Sequence, residues 1–506
     1  MTQNVLPFKY EEEKTTSGMT AVAGLPLFLE LFYGMGLNKC ISANLAVRDE
    51  QGYSDAEVIK ALMMLNLAGG DSVEDIQILE GDIGFKELAK KAEKHRVSKK
   101  AKKKALKRWR KQRKRGFASC SAIFRYLKAF HDEQQEKRRV AGKAFIPASN
   151  EYLSGFPRIN EYMMDWLQER RPSFVATLDQ DATLINTNKK QALLCYQGFL
   201  SYQPFSTYWA EQGIVAHSEF RDGNVPAGYQ QLRVLKETLA ILPESVKRVR
   251  LRSDTAGYQH DLLRYCEQGE NERFGRIEFG ISCDVTPEFR KAVIEVAEDE
   301  WQALFVWRRD ELVRSEQEWA EVVYVPNKLG FSSNGPSYRY IAIREKYRQM
   351  LLPGIEVVNP PELHIETMGN QRYKVFGMVT NMDWEGGRLI RWQRERCGKG
   401  EEVHSIMKED LAGGKLPCTE FGANAAWWWI MVLALNLQSI FKSHVLPAGW
   451  ENKRLKSIRF NLINLPGRLI KRSRQLIVRL TSGHSSNALI WQARERLRGL
   501  VYGPAG

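Results

Sequence analysis

Several ingredients are scarce in this 506-residue chain, and each scarcity closes off a class of protein. The seven cysteines (Cys40, Cys120, Cys195, Cys266, Cys283, Cys397 and Cys418) are scattered, and no two form a Cys-x-x-Cys pair. That argues against a zinc site and against a disulfide framework, and makes a reducing cytosol the expected compartment. The eight histidines show no ligand spacing. Internal repeats are absent from the sequence. The first residues, MTQNVLPFKYEEEK, place acids where a secretory signal needs an apolar run. Long hydrophobic stretches are missing too. The strongest, Ala425 to Leu435 (AAWWWIMVLAL), is bounded by Asn424 and Asn436 and falls short of the roughly 20 residues a bilayer span needs. It predicts a buried helix, and no membrane partner is expected.

What the chain does have is positive charge and aromatic bulk. Lysine and arginine exceed aspartate and glutamate by 15, which points to a polyanionic partner, nucleic acid before an acidic membrane surface. A 43% apolar share with 13 tryptophans supplies several packed cores, so the length suggests three or four units. The charge is concentrated. Between Lys86 and Arg115 there are 17 lysines or arginines and two acids, Glu87 and Glu93. Its proline-free middle, VSKKAKKKALKRWRKQRKRG, reads as a basic helix or a solvated tether, and as an arm for DNA phosphates in the functional reading. Lys102, Lys103, Lys104, Arg108, Arg110 and Arg113 are its candidate DNA contacts. A second basic stretch, NKRLKSIRFNLINLPGRLIKRSRQLIVRL, lies near the C-terminus with apolar residues interleaved.

Hydrophobic periodicity divides the chain. Ser54 is placed to cap a helix through DAEVIKALMMLNLA that stops at Gly69-Gly70. A second amphipathic helix covers SCSAIFRYLKAFHDEQQEKRR, and residues 147–157 read as a linker. Beyond them the period changes. FVATLDQDAT reads as a strand, two β-rich stretches follow around Gly198 and Gly213, and a helix from Tyr229 to Ala240 leads into the strand VKRVRLRSD. The helix HDLLRYCEQ then leads to a strand around RIEFGISCD. Strand, strand, strand, helix, strand, helix, strand is the order of an α/β, RNase H-like mixed sheet flanked by helices. The regions expected are a helical and basic N-terminal DNA-binding part (1–160), a first core segment (170–285) and a β-rich insertion (286–390). A second core segment with a glutamate helix (391–442) and a basic C-terminal region (443–506) complete the chain.

Three acidic positions stand out. Asp179 and Asp181 lie two apart on a strand and share a face. Two acids there are costly without a cation or donors, although a strand end with an Asx turn is the ordinary alternative. Asp254 ends a strand, where it fits either the crevice of an open sheet or an ordinary helix N-cap. Glu401 falls in CGKGEEVHSIMKEDLAGG. A helix starting near Gly400 would put Glu401, Ser405 and Lys408 on one face. Most single helical glutamates are solvated surface groups. Company changes that, because two-metal phosphoryl transfer needs several carboxylates around hard cations.

The runs LDQDAT, RSDTAGY and CGKGEEVHSIMKEDLAGGKLPCTEFGANAAWW closely resemble bacterial insertion-sequence transposases of the DDE type, in the branch allied with piggyBac elements. NLAGG, FRDGNVP, LPAGWENKR and RFNLINLPGR extend that resemblance nearly end to end. It implies an RNase H-like core with a β-rich insertion between the second aspartate and the glutamate. It also implies that Asp181, Asp254 and Glu401 are the catalytic acids, with Asp179 a competitor for the first place. They would hold two Mg²⁺ ions, with Mn²⁺ as a substitute. Related transposases carry a Tyr-x2-Arg-x3-Glu-x6-Lys signature. Here Glu401 and Lys408 supply its second half, while Arg394 and Cys397 stand at the tyrosine and arginine places. Arg394 or Arg396 is the candidate replacement, and Lys408 the candidate grip on a phosphate near the element's end. The implied partners are double-stranded DNA, as terminal inverted repeats and target, and a second copy of the chain in a synaptic homodimer. The implied location is the bacterial cytoplasm at the nucleoid. Two rivals are a decayed or domesticated protein that only binds DNA, and a nuclease without strand transfer.

Overall fold

The protein is described from a computed structural model, which places residues 18–48, 51–94, 107–109, 113–326, 338–347, 364–473 and 475–502. The chain forms two units. The first combines residues 1–131, 149–159 and 406–506, and the second 132–148 and 160–405.

In the first unit the helix Asp55–Ala68 starts where its cap residues require. Ser54 accepts from the Glu57 amide, the Glu57 carboxylate accepts from the Ser54 amide, and Gly69 closes the helix at φ 103°. Nearly all of it is buried, because it packs on the apolar run, which is indeed the middle of a buried helix, Phe421–His444. Residues 421–438 of that helix are all buried. Phe441 stacks on Phe28 with centroids 4.1 Å apart. Trp427 donates its indole N–H to the Ala412 carbonyl at 3.2 Å. Two polar side chains inside the apolar region, Asn424 and Asn436, are fully buried, and Asn424 spends its amide on both backbone groups of Cys418. Among the described residues no helix is long and apolar enough to cross a membrane. The amphipathic helix expected after Ser119 is two helices, Cys120–Lys128 of this unit, capped by Ser119, and Glu133–Glu136 of the second unit, capped by Asp132.

The second unit is built on one mixed sheet, ten-stranded among the described residues. Its first five strands are β1 (Val175–Ala182), β2 (Phe205–Trp209), β3 (Ile214–Glu219), β4 (Arg248–Ser253) and β5 (Glu278–Cys283). They lie in the order β3-β2-β1-β4-β5. β1 pairs antiparallel with β2, and β2 with β3. β1 and β4 are parallel, as are β4 and β5. This is the RNase H-like topology that the element order predicts. β1 is the central strand, buried on both faces from Ala176 to Gln180, so its sequence shows no simple alternation.

The insertion adds strands to the same sheet. They are β6 (Gln302–Arg308), β7 (Glu311–Val322), β8 (Arg339–Lys346), β9 (Ile365–Met368) and β10 (Gln371–Thr380). β10 pairs antiparallel with β5, and β8, β7 and β6 follow outward, with β9 on β10. A core of Leu304, Trp319, Ile341, Ile343 and Met378 packs them against Leu389 and Ile390 of the next helix. That helix, Gly386–Ser405, begins well before Gly400, the start expected from the sequence. Gly280 on β5 lets it approach closely, since a Cβ there would stand 2.9 Å from the Trp392 ring.

Candidate active site

The last parallel pair between β1 and β4 is Gln180 with Ser253. Asp181 and Asp254 are the next residue on each strand, so two acids leave adjacent carboxyl ends side by side. In open α/β sheets this crevice is where ligands bind. Asp254 caps the turn Thr255–Gly257, accepting from the Ala256 amide at 3.0 Å. Gly257 is required there, because a Cβ would come 2.6 Å from the Ser253 side chain. Asp181 accepts from the Ala182 amide at 2.9 Å and from Arg396 Nη1 at 3.0 Å. Burial pushes the Asp181 carboxyl up to about 6. Arg396 pulls against that shift and the neighbouring charge of Asp254 adds to it.

Beneath these acids lies a buried polar layer that sequence reasoning did not single out. Gln231 donates to the Gln180 side-chain oxygen at 3.1 Å and to the Ser253 hydroxyl at 3.0 Å. Gln393, from the Gly386–Ser405 helix, donates to Ser282 at 3.2 Å and reaches the Ser253 carbonyl at 3.4 Å. Each amide fixes the strand ends with a directed bond and adds no charge of its own.

Asp179 has a different environment from Asp181, although both face the same way. It sits opposite Arg252 in the parallel register, and its two oxygens accept from Arg252 Nε at 2.5 Å and Nη2 at 2.9 Å. The pair is buried, at 3% and 2% exposure. The remaining guanidinium nitrogen donates to the Trp392 carbonyl and meets Glu395 at 3.2 Å, and the guanidinium lies over the Trp392 ring. Burial alone would lower the Arg252 pKa, and Asp179 and Glu395 hold it charged. A planar five-donor fork suits this task, bridging β1, β4 and the glutamate helix at once. The sequence signal for it was faint: an arginine two residues before Asp254 in RLRSD.

The glutamate helix brings Gly400 beside Asp181, whose Oδ2 would lie 3.9 Å from a Cβ at that position. Glu401, the next residue, is exposed and has no ion pair or hydrogen bond among the described residues. Glu402 is partly buried. It pairs with Lys399 at 3.6 Å, and burial raises the Tyr208 phenol, with the charges of Asp179 and then Glu402 adding to the shift. The α-helix ends at Ser405, and Lys408 lies in a π-helical turn, Ile406–Asp410, of the first unit. Arg394 is half-buried on the same helix as Arg396 and donates to Gln317 at 2.7 Å.

Among the other candidate DNA contacts, Arg108 donates to the Gly52 carbonyl. Arg113 pairs with Glu57 and Glu93 and stacks over Tyr53 and Trp109. Lys102, Lys103, Lys104 and Arg110 lie outside the described residues.

Among the described residues no three histidine, cysteine or acidic side chains gather closely enough to hold a metal ion. The donor chemistry nonetheless fits a hard divalent cation. Asp181 and Asp254 offer oxygen ligands at adjacent strand ends, they repel each other, and one is raised by that repulsion and by burial.

A mixed sheet with this strand order, carrying acids at the carboxyl ends of its central parallel strands, places the second unit among RNase H-like α/β folds. A family model for the transposase DDE domain, group 1, matches residues 11–502. No curated protein matches the chain. Among solved structures, the cryo-EM structure of a piggyBac transposase synaptic complex with hairpin DNA is similar at 10% identity and a TM-score of 0.41. That likeness covers 88% of this chain and 82% of the other. The chain belongs to the DDE transposase family. It is a DNA transposase, an enzyme of DNA cleavage and strand transfer, and the chemistry of its family uses divalent metal ions.

Proposed function

We propose that Asp181, Asp254 and Glu401 are the catalytic acids of this transposase and that they take two Mg²⁺ ions, or Mn²⁺ in their place. The observation that carries this reading is the position of Asp181 and Asp254, each one residue past the last parallel pair of β1 and β4. When bound, the metals would supply activation of the attacking oxygen and stabilisation of the leaving oxygen at a scissile phosphodiester. The chain's own residues prepare that chemistry. Arg252 holds Asp179, β4 and the Trp392 turn together, which keeps the helix bearing Glu401 against the strands bearing the aspartates. Both oxygens of Asp179 are engaged by that arginine, which favours Asp181 as the first acid. Arg396 pairs with Asp181 and offsets its charge.

The reaction needs no covalent protein intermediate. Water attacks phosphorus at the element's end and the broken P–O bond leaves a 3′-hydroxyl. That hydroxyl then attacks a phosphodiester of target DNA, or of the opposite strand, forming one P–O bond as another breaks. Terminal inverted repeats and target DNA are the proposed substrates, a homodimer the proposed synaptic form, and the bacterial nucleoid the proposed place of action.

Glu402 is a second reading for the third acid, favoured by its partial burial where Glu401 is exposed. The test of the whole reading uses a plasmid carrying a marker between the DNA segments that flank this gene, incubated with protein and Mg²⁺. Joined products with cuts mapping to the element ends are expected. Cut ends alone would make the protein a nuclease, and bound but intact DNA would make it a recognition protein.

A further inference from the structure

The sequence has two strongly basic stretches, separated by more than three hundred residues, and the first unit brings parts of both together. Lys90, Lys91 and Lys94 lie along the end of the helix Ile83–Glu93. Facing them is a hairpin of two strands, β11 (Gly467–Arg472) and β12 (Gln475–Leu480). Between helix and hairpin runs a groove of about 340 Å³ lined by Lys90, Lys91, Lys94 and Lys471, with Glu87 as its acid. Glu87 is engaged by Lys471 at 3.0 Å, so the groove keeps a net positive charge of several units.

We infer that this groove is a track for the phosphate backbone of duplex DNA. The lysines give point charges without directional forks, which suits sequence-independent phosphate contact better than reading of base edges. The inference rests on the transposase being a DNA-acting protein and is independent of which acids are catalytic.

The test measures binding in EDTA, where no cleavage occurs, using full-length protein and two labelled duplexes, one carrying the element end and one of random sequence. The variant Lys91→Gln/Lys94→Gln/Lys471→Gln is expected to lose affinity for both duplexes by the same factor, roughly tenfold at 0.1 M salt. Its slope of log affinity against log salt should be shallower by about one per lysine removed. The arginine version of the same triple variant should bind like wild type. These residues are surface groups, and an unchanged unfolding midpoint shows that folding is intact. Unchanged affinity and slope would overturn the inference, and so would a loss confined to the element-end duplex. Loss of binding to anionic vesicles with DNA binding intact would instead assign the groove to a membrane surface. Wild-type protein that binds neither duplex would defeat the DNA-acting reading itself, an outcome distinct from all of these.

Discussion

The carboxyl ends of β1 and β4 and the lysine groove of the first unit both concentrate charge, and they hold it in opposite ways. At the strand ends, Asp179 and Arg252 are almost wholly buried and joined by two hydrogen bonds, and Asp181 is held by Arg396 and a backbone amide. In the groove, Lys91, Lys94 and Lys471 are exposed. Buried charges are fixed in geometry, and removing one partner strands the other in a low-dielectric site. Exposed charges are mobile and screened by salt, and removing one costs little stability. The first arrangement suits chemistry that requires atoms in set positions. The second suits a grip on a uniform polyanion.

That contrast can be broken at several points. The largest effect is expected from Asp181→Asn, which should reduce Mg²⁺-dependent cleavage to background while the salt dependence of DNA binding stays as in wild type. Next, Arg252→Met should destabilise the protein by about 3–5 kcal/mol in urea unfolding, because it leaves Asp179 buried and unpaired. Adding Asp179→Leu should recover most of that loss. If the double variant is no more stable than the single one, the pair is not the isolated unit described here. Arg252→Lys keeps the charge but loses the fork, and cleavage should fall about 10–100-fold with little change in binding.

The third acid sharpens the same comparison. Glu401→Gln should abolish cleavage, and Glu402→Gln should leave most of it. The reverse result would move the role to Glu402. Smallest of all are the groove substitutions, whose effect should vanish at high salt.

Much of this organisation was legible in the sequence because it depends on local signals. The helix HDLLRYCEQ has the bounds read from its pattern, and the strand FVATLDQDAT differs by one residue at each end. Asp181 and Asp254 could be placed at strand ends because the β-patterned stretches before them stop there. The Asp179–Arg252 pair could not be read, since it depends on the parallel register of strands 73 residues apart. The start of the glutamate helix was hidden for another reason. RWQRERCGKG is charged and carries Gly398 and Gly400, both poor helix formers, yet tertiary packing of Leu389, Ile390 and Trp392 on the sheet carries the helix through them. The insertion's continuity with the core sheet and the meeting of Lys91 with Lys471 are likewise non-local.

The most direct test of the account is the cleavage of a labelled element-end duplex by wild type and by Asp254→Asn, at protein concentrations that saturate binding of both. The account predicts Mg²⁺-dependent cuts at the element end for wild type and none for the variant, with equal affinities. Near-normal cleavage by Asp254→Asn would contradict it, because the carboxyl end of β4 would then not be part of the catalytic site.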